Sequence, residues 1–487
     1  MRKIHYILLI LLLPVITFSQ EKIDFDLQKC IDYSTKYSPA AKSARAGFKV
    51  RTNNIKAFNA GFYPQLNLNA SVPGLSREII SVLQPDGSAL FQPQSQYYGS
   101  GGLSLSQRIA PLGSEFTVYT GLSRIDAFGS RDYSIWRTTP VMVSYSQPLF
   151  GYNSMKWESR VQDIRQEIND NEYSSEIENI SMRITQRFFD VYIAKMNLQN
   201  SKQNITVNDT LYTISKGRFE VGRIAENDLL QSELAYLNAR NSYQSAMLDY
   251  RQTIDEFKSE LGLSENSEIN ITPPLFVPEL IINEEFAVSQ AIENNPAFKN
   301  IDIDNLRADI ALLSAEASNT INANIFASFG FNNSAEILPD AYKDLLQQQR
   351  FDITLQVPVF QWGRGDAEIE SALQEKNRTK INSDLRKKNL EIEVRYEALR
   401  LIQLINQVKI SAKADTIASR RFEVAINRYY VGKIDLNSFF IAQNEKDSAF
   451  QSYIQILKSF WSSYFNLRRQ TLYDFEKKQK INHLLSD

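Results

Sequence analysis

The chain has 487 residues, 43% of them hydrophobic and 11% aromatic, with a formal net charge of −2. That balance supplies material for a large core and no electrostatic attraction for nucleic acid, so no nucleic-acid partner is expected. A single cysteine, Cys30, excludes an internal disulfide, and two histidines, His5 and His483, are too few for a histidine-rich zinc site or a hydrolytic triad.

In chain order, Arg2 and Lys3 precede an apolar run from Tyr6 to Ile16, with Thr17 and Ser19 placed as cleavage residues before Gln20. This is the pattern of a secretory signal peptide, cleaved after Ser19. The run falls short of the roughly 20 residues a spanning helix needs, and no cysteine follows it to carry a lipid anchor. No later apolar run is long enough for a transmembrane helix. An exported chain of this kind is periplasmic, secreted, or a β-barrel of an outer membrane. Cys30, within the apolar CIDYSTKY, reads as a buried structural thiol.

A short helix is expected from Asp26 (DLQKCIDYSTKYSP) and again from Asn283 (NEEFAVSQAIENNP), ending at Pro39 and Pro296, about 257 residues apart. A second helix follows each, through Phe48 to Ala60 and through Ile303 to Ala317. Alternation of period 2 then marks strands. They open at Gln65 to Ala70 (QLNLNA) and Asn324 to Phe331 (NIFASFGF), and close at Val141 to Phe150 (VMVSYSQPLF) and Asp352 to Phe360 (DITLQVPVF). Pro148 and Pro358 are only about 210 residues apart, so the first half holds about 47 extra residues. Two more alternating runs lie in that surplus, Leu103 to Ile109 (LSLSQRI) and Glu115 to Ser123 (EFTVYTGLS), joined by a turn at Pro111 to Gly113. The Gly-, Pro- and Gln-rich stretch around Gln84 to Gly102 is expected to be a mobile loop.

After each closing strand comes a long helix, from about Met155 to Lys216 and from about Asp366 to Tyr430. In the first, Val161, Ile164, Ile168, Tyr173, Ile177, Ile180, Ile184 and Phe188 fall at helical spacing and mark an interior seam. Charged runs such as Arg386 to Arg395 (RKKNLEIEVR) read as solvated helix surface. Each long helix ends at nearly the same words, RFEVGRI (Arg218 to Ile224) and RYYVGKI (Arg428 to Ile434). The chain then returns, from Asp228 to Leu261 and from Asn437 to about Phe475, with Asn227, Ala239, Ser242 and Tyr243 matching Asn437, Ala449, Ser452 and Tyr453. A period this far beyond the roughly 20 to 50 residues of solenoids is a duplicated half.

The chain therefore divides into a signal peptide (1–19), a first repeat (20–272), a linker (273–282), a second repeat (283–475) and a tail (476–487). The first repeat carries a β insertion over about 62–150 and a helical hairpin over about 155–262; in the second these span about 321–360 and 366–475. The fold class expected is mainly α with a membrane β part: long antiparallel helical hairpins, internally duplicated, whose strands join a shared barrel. The strands of one chain are too few to close a barrel, and unpaired edges are costly in lipid. Several chains must share it, with the polar helices extending into the periplasm.

The paired CIDYSTKYSP and AVSQAIENNP elements, the PLF and PVF strand ends and the twin glycine turns, in this order twice over, resemble TolC-like outer-membrane efflux proteins across essentially the whole mature chain. The resemblance implies a homotrimer in outer-membrane lipid of a Gram-negative bacterium, with four strands per chain in the barrel and a helical tunnel in the periplasm. It implies a passive exit duct, not an enzyme, with no cofactor or metal. Its partners would be a periplasmic adaptor (a membrane fusion protein) and an inner-membrane pump of RND or ABC type, for tripartite efflux or type I secretion. The resemblance places adaptor docking at Val221, Gly222 and Arg223 and at Val431, Gly432 and Lys433; a plain turn-forming role is the alternative. It places a periplasmic gate at Asp228 and Tyr429, with helix-start stabilisation the alternative for Asp228. Where some members carry acidic rings, this chain has Ser438 and Ile441, and Asp435 is the nearest carboxylate. A mouth with Phe440 and Ile441 suits closure by apolar contact instead. Two rival readings are a periplasmic coiled-coil adaptor or scaffold, and a surface adhesin built on the enlarged first β insertion.

Overall fold

Proline and a polar cap build the same corner twice. In the computed structural model, which describes residues 22–128, 132–274 and 277–483, the chain opens with β1 (Lys22–Asp26), α1 (Leu27–Tyr37) and α2 (Pro39–Ala60). Four strands follow, β2 (Gln65–Leu83), β3 (Ala89–Ile109), β4 (Ser114–Phe128) and β5 (Tyr133–Leu149), then α3 (Ser154–Glu220), α4 (Glu226–Leu261) and β6 (Glu268–Thr272). The second half repeats the order as α5 (Glu284–Asn294), α6 (Pro296–Ser318), β7 (Asn322–Ala335), β8 (Leu346–Gln356), α7 (Arg364–Tyr430) and α8 (Leu436–Thr471). Two short strands end it, β9 (Tyr473–Asp474) and β10 (Gln479–Lys480). The expected signal peptide, 1–19, lies outside the described residues.

At the repeated corner, Asp26 Oδ1 accepts from Lys29 N at 2.8 Å and Asn283 Oδ1 from Phe286 N at 2.9 Å, capping α1 and α5. Pro39 and Pro296 then begin α2 and α6, where a missing N–H costs nothing and φ is already helical. Ser38 Oγ and Asn295 Oδ1 cap those helices at 3.0 and 2.9 Å. Cys30 is fully buried in α1, and burial, with the Asp26 charge behind it, pushes its thiol well above the usual range.

Two compact units divide the chain, and each draws on both halves: one takes Met1–Ala46, Tyr173–Asn294 and Glu393–Asp487, the other Gly47–Glu172 and Asn295–Ile392. In the first unit the α3 seam is dry. Tyr173, Ile177, Ile180, Ile184 and Phe188 are all buried, and Phe188 meets Phe257 of α4 edge to face. β1 pairs parallel with β6, tying the start of the chain to the segment after α4. Gly262 ends α4 at φ 72°, and a Cβ there would meet Pro39 Cδ at 2.9 Å, so both conformation and space require glycine. Helix α8 ends at Thr471, four residues before the end expected from sequence, because Leu472 turns left-handed at φ 48°.

Beyond Leu472 the chain folds back onto a buried ionic cluster. Arg468 grips Glu178 with two bonds of 2.9 and 3.0 Å and reaches Asp474 at 2.8 Å. His483 Nε2 lies 2.8 Å from Glu178 Oε1, which gives the one histidine among the described residues a structural post. Burial alone would raise the Glu178 carboxyl, but the His483 hydrogen bond and the Arg468 charge outweigh it and hold it below its ordinary range.

In the second unit Val161, Ile168 and Ile303 form a small core with Ile164, Leu306 and Ile310. Around it Lys299 pairs with Glu167, Arg386 with Asp304 and Lys387 with Asp302 at 2.9–3.0 Å. The RKKNLEIEVR run is thus partly ion-paired; such half-exposed pairs each contribute only about 0–1 kcal/mol.

The rest of this unit is one antiparallel six-stranded sheet, in the order β2-β3-β4-β5-β7-β8. The stretch from Gln84 to Gly102, expected as a mobile loop, is mostly strand: β3 pairs with β2 from Leu83↔Ala89 down to Gln65↔Ser106. The correction has a local cause. Asp86 Oδ1 accepts from Ser88 N at 2.9 Å and Gly87 sits at φ 86°, so a tight turn closes a regular hairpin. Glycines at 99, 101 and 102 weaken strand propensity, but cross-strand pairing overrides it. Tyr119 lies across Gly102 and Gly121, where an added Cβ would come within 2.7 and 2.1 Å of its ring or hydroxyl.

Candidate functional site: hairpin ends and a two-faced sheet

The two helical hairpins turn with the same geometry. Gly222 and Gly432 adopt φ 70° and 73°, and the residue after each closes the turn, Arg223 N on Arg218 O at 2.8 Å and Lys433 N on Arg428 O at 2.9 Å. This six-to-one bond is the helix-ending motif that favours a left-handed glycine. Nothing lies within 4 Å of a Cβ added at Gly222, so conformation rather than crowding selects glycine there. Val221 and Val431 are 68% and 67% exposed, and Arg223 and Lys433 are exposed too, leaving an apolar knob beside a cation on each turn.

The ends also touch each other. Arg218 Cζ sits 5.4 Å from the centre of the Tyr429 ring, and its Nη2 lies 4.0 Å from a Cβ placed on Gly432. Tyr429 is buried with Leu211 and Phe439, flanked by Phe422, Ile426, Ile434, Leu436 and Phe440. Sequence reading placed Tyr429 opposite Asp228; within one chain no hydrogen bond joins them. Asp228 is half-buried in the first turn of α4, at the positive end of the helix. Asp435 caps α8, accepting from Ser438 N at 2.6 Å. That backbone bond, with one from the Ser438 side chain, holds the Asp435 carboxyl below the usual range. Ser438 is exposed and Ile441 is 45% exposed, so Ile441 presents a bare apolar side chain. Arg218 was missed as a partner of Tyr429. Its signal was the matched RF and RY of the two turns, read as repetition and not as contact.

The second feature is the sheet. One face carries Leu66 and Leu68 of β2, Leu103 and Leu105 of β3, Val118 of β4, Val141 and Val143 of β5, Phe329 of β7, and Phe351, Ile353 and Leu355 of β8. The strand registers place these side by side, as in Leu66↔Leu105↔Val118↔Val143↔Phe329. Leu66, Leu68, Phe351, Ile353 and Leu355, on the two edge strands, stand 60–71% exposed. The opposite face at the same levels is mostly polar, with Asn67, Ser104, Thr117, Ser144, Ser328 and Arg350 beside Tyr119 and Met142. β2 and β8 are free edges. None of the described helices is long and apolar enough to cross a membrane. Among the described residues no group of three or more His, Cys, Asp or Glu is placed to hold a metal ion.

No family model and no curated protein matches this sequence. Solved structures do. The outer membrane channel CmeC of Campylobacter jejuni superimposes with a TM-score of 0.65 at 16% identity, covering 93% of this chain and 87% of that one. The open-state outer membrane channel MtrE of Neisseria gonorrhoeae gives 0.63 at 13% identity, covering 94% and 91%. The outer membrane protein VceC of Vibrio cholerae gives 0.61 at 11% identity, covering 91% and 95%. The fold is TolC-like. Agreement over nine-tenths of both chains at such low identity means the hairpin-and-sheet plan is kept while most side chains differ. In this TolC-like fold the sheet keeps two unlike faces and two free edge strands, β2 and β8.

Proposed function

We propose that this chain is an outer-membrane exit duct for efflux or type I secretion, working as a homotrimer whose strands share one barrel and whose helices form a periplasmic tunnel. The observation that carries this reading is the sheet, which exposes an apolar stripe from Leu66 of β2 to Phe329 of β7, extended by Phe351, Ile353 and Leu355 of β8, with a mostly polar face behind it. Such a face is costly in water and favourable in lipid. Free edges in lipid are also costly, and pairing β8 of one copy with β2 of the next removes both. The edge strands run in opposite directions, so the seam is antiparallel like every other pairing in the sheet.

Function then divides between barrel and mouth. Transport needs no chemistry from the chain, since a pump of RND or ABC type in the inner membrane would supply the energy. A periplasmic adaptor docks on the twin turns through Val221, Gly222, Arg223, Val431, Gly432 and Lys433. The gate lies at Asp228, Tyr429, Asp435, Ser438 and Ile441. Tyr429 is held by its own hairpin and Arg218, and Ile441 is left to meet its copies. The test is single-channel recording of detergent-purified protein in planar bilayers, with oligomer mass from the same sample. Trimers with a small, stable conductance that rises in Ile441→Asp or Asp228→Ala support the duct and its gate. A water-soluble monomer without channels overturns the reading. Gly222→Trp with Gly432→Trp should abolish export and leave trimers intact; surviving export overturns the docking assignment alone.

A further inference from the structure

We propose that each chain carries six strands through the membrane, not the four of its family, so that a trimer closes an 18-stranded barrel. The inference rests on the duct reading above and adds the width of the pore to it. β3 and β4 are interior strands of the sheet, each hydrogen-bonded on both sides, and not an appended hairpin. They share the two-faced pattern of the strands beside them. Leu103 and Leu105 line up with Leu68 and Leu66 on the apolar face, while Ser104 and Ser106 line up with Asn67 and Gln65 on the polar one. On β4, Val118 joins Val143 and Thr117 joins Ser144 in the same register. A hairpin lying in water would have no cause to continue a lipid-facing stripe.

The turn between β3 and β4 is built in as well. Asn153 Nδ2 donates to Ala110 O at 2.9 Å and to Pro111 O at 3.2 Å, while its Oδ1 accepts from Lys156 N at 3.0 Å as α3 begins. Gln147 Nε2 adds a bond to Leu112 O at 2.9 Å. One asparagine therefore fastens the inserted turn to the helix start at the end of β5. That puts the turn at the same end of the sheet as the start of β2, and makes β3 and β4 full crossings.

Six strands is an even number, so copies still meet with antiparallel edges and the ring closes head to tail. With strands about 4.8 Å apart and tilted about 40°, an 18-stranded barrel has a mean backbone diameter of roughly 36 Å, against roughly 24 Å for 12 strands. A bore that wide places cargo selection at the hairpin mouth and leaves the barrel open to polypeptide-sized solutes.

The test is single-cysteine labelling of the full protein in lipid vesicles with a membrane-impermeant maleimide. Native protein, whose only mature cysteine is the buried Cys30, serves as the blank. Ser104→Cys, Ser106→Cys and Thr117→Cys should label at least tenfold faster than Leu103→Cys, Leu105→Cys and Val118→Cys, which should be quenched by brominated lipid when carrying a fluorophore. Ser328→Cys and Phe329→Cys on β7 supply the reference alternation. If the reference alternates but β3 and β4 label equally on both faces, the six-strand barrel falls and the duct stands. If β7 does not alternate either, the duct reading falls and takes this one with it. If all alternate, strand counting by electron microscopy of the trimer must give 18, and 12 would overturn the proposal.

Discussion

The helical unit and the six-stranded sheet place their apolar side chains in opposite ways. In the first, Ile184, Phe188, Phe257 and Phe460 are fully buried on α3, α4 and α8, and Phe188 meets Phe257. In the second, Leu68, Phe351 and Ile353 stand at 60% exposure or more on a regular sheet. The residue types are alike, so composition does not separate the units. In our reading what differs is the surrounding solvent: water around the helices and lipid around the sheet.

The largest effects should come from the ionic cluster of the helical unit. Arg468→Met leaves Glu178 as a buried, partly unpaired carboxylate and should cost about 3–5 kcal/mol, seen as a large fall in thermal stability of the purified protein. Phe188→Ala opens a cavity in the seam and should cost about 3–5 kcal/mol; a smaller loss in denaturant titration would mean the seam collapses around the gap. On the sheet, Phe351→Arg should destabilise by about 2–4 kcal/mol in lipid vesicles, while Ser104→Arg on the polar face should stay within about 1 kcal/mol. Equal effects on the two faces would erase the contrast between the units. At the hairpin ends, Gly432→Ala should cost about 1–2 kcal/mol, because φ 73° strains any residue with a Cβ. Differential hydrogen exchange at the turn would locate that loss.

The smallest effect is one of pH. Glu178 has its folded value depressed, so its contribution is complete above the ordinary glutamate range and is lost as pH falls through the folded value. Thermal stability should therefore decline on acidification, and Glu178→Gln should flatten that decline. An unchanged slope in this variant would remove Glu178 as its source.

Features written in short-range period were legible before the structure. The Ile177, Ile180, Ile184 and Phe188 seam, the helix starts near Asp26 and Asn283, the glycine turns and the alternation of LSLSQRI and NIFASFGF depend on residues within one or two turns or strands, where spacing maps directly onto a face. Propensity misled at Gln84 to Gly102, since glycine and proline there mark weak strand formers and not the absence of a partner. Tertiary structure alone decided which strands became neighbours, placing β3 and β4 inside one sheet with β7 and β8. It alone brought Arg218 to Tyr429, and Arg468 and His483 to Glu178, pairs separated by about 200 to 300 residues. Such contacts depend on how long helices and strand registers are assembled in space, and no local period of the sequence carries that information.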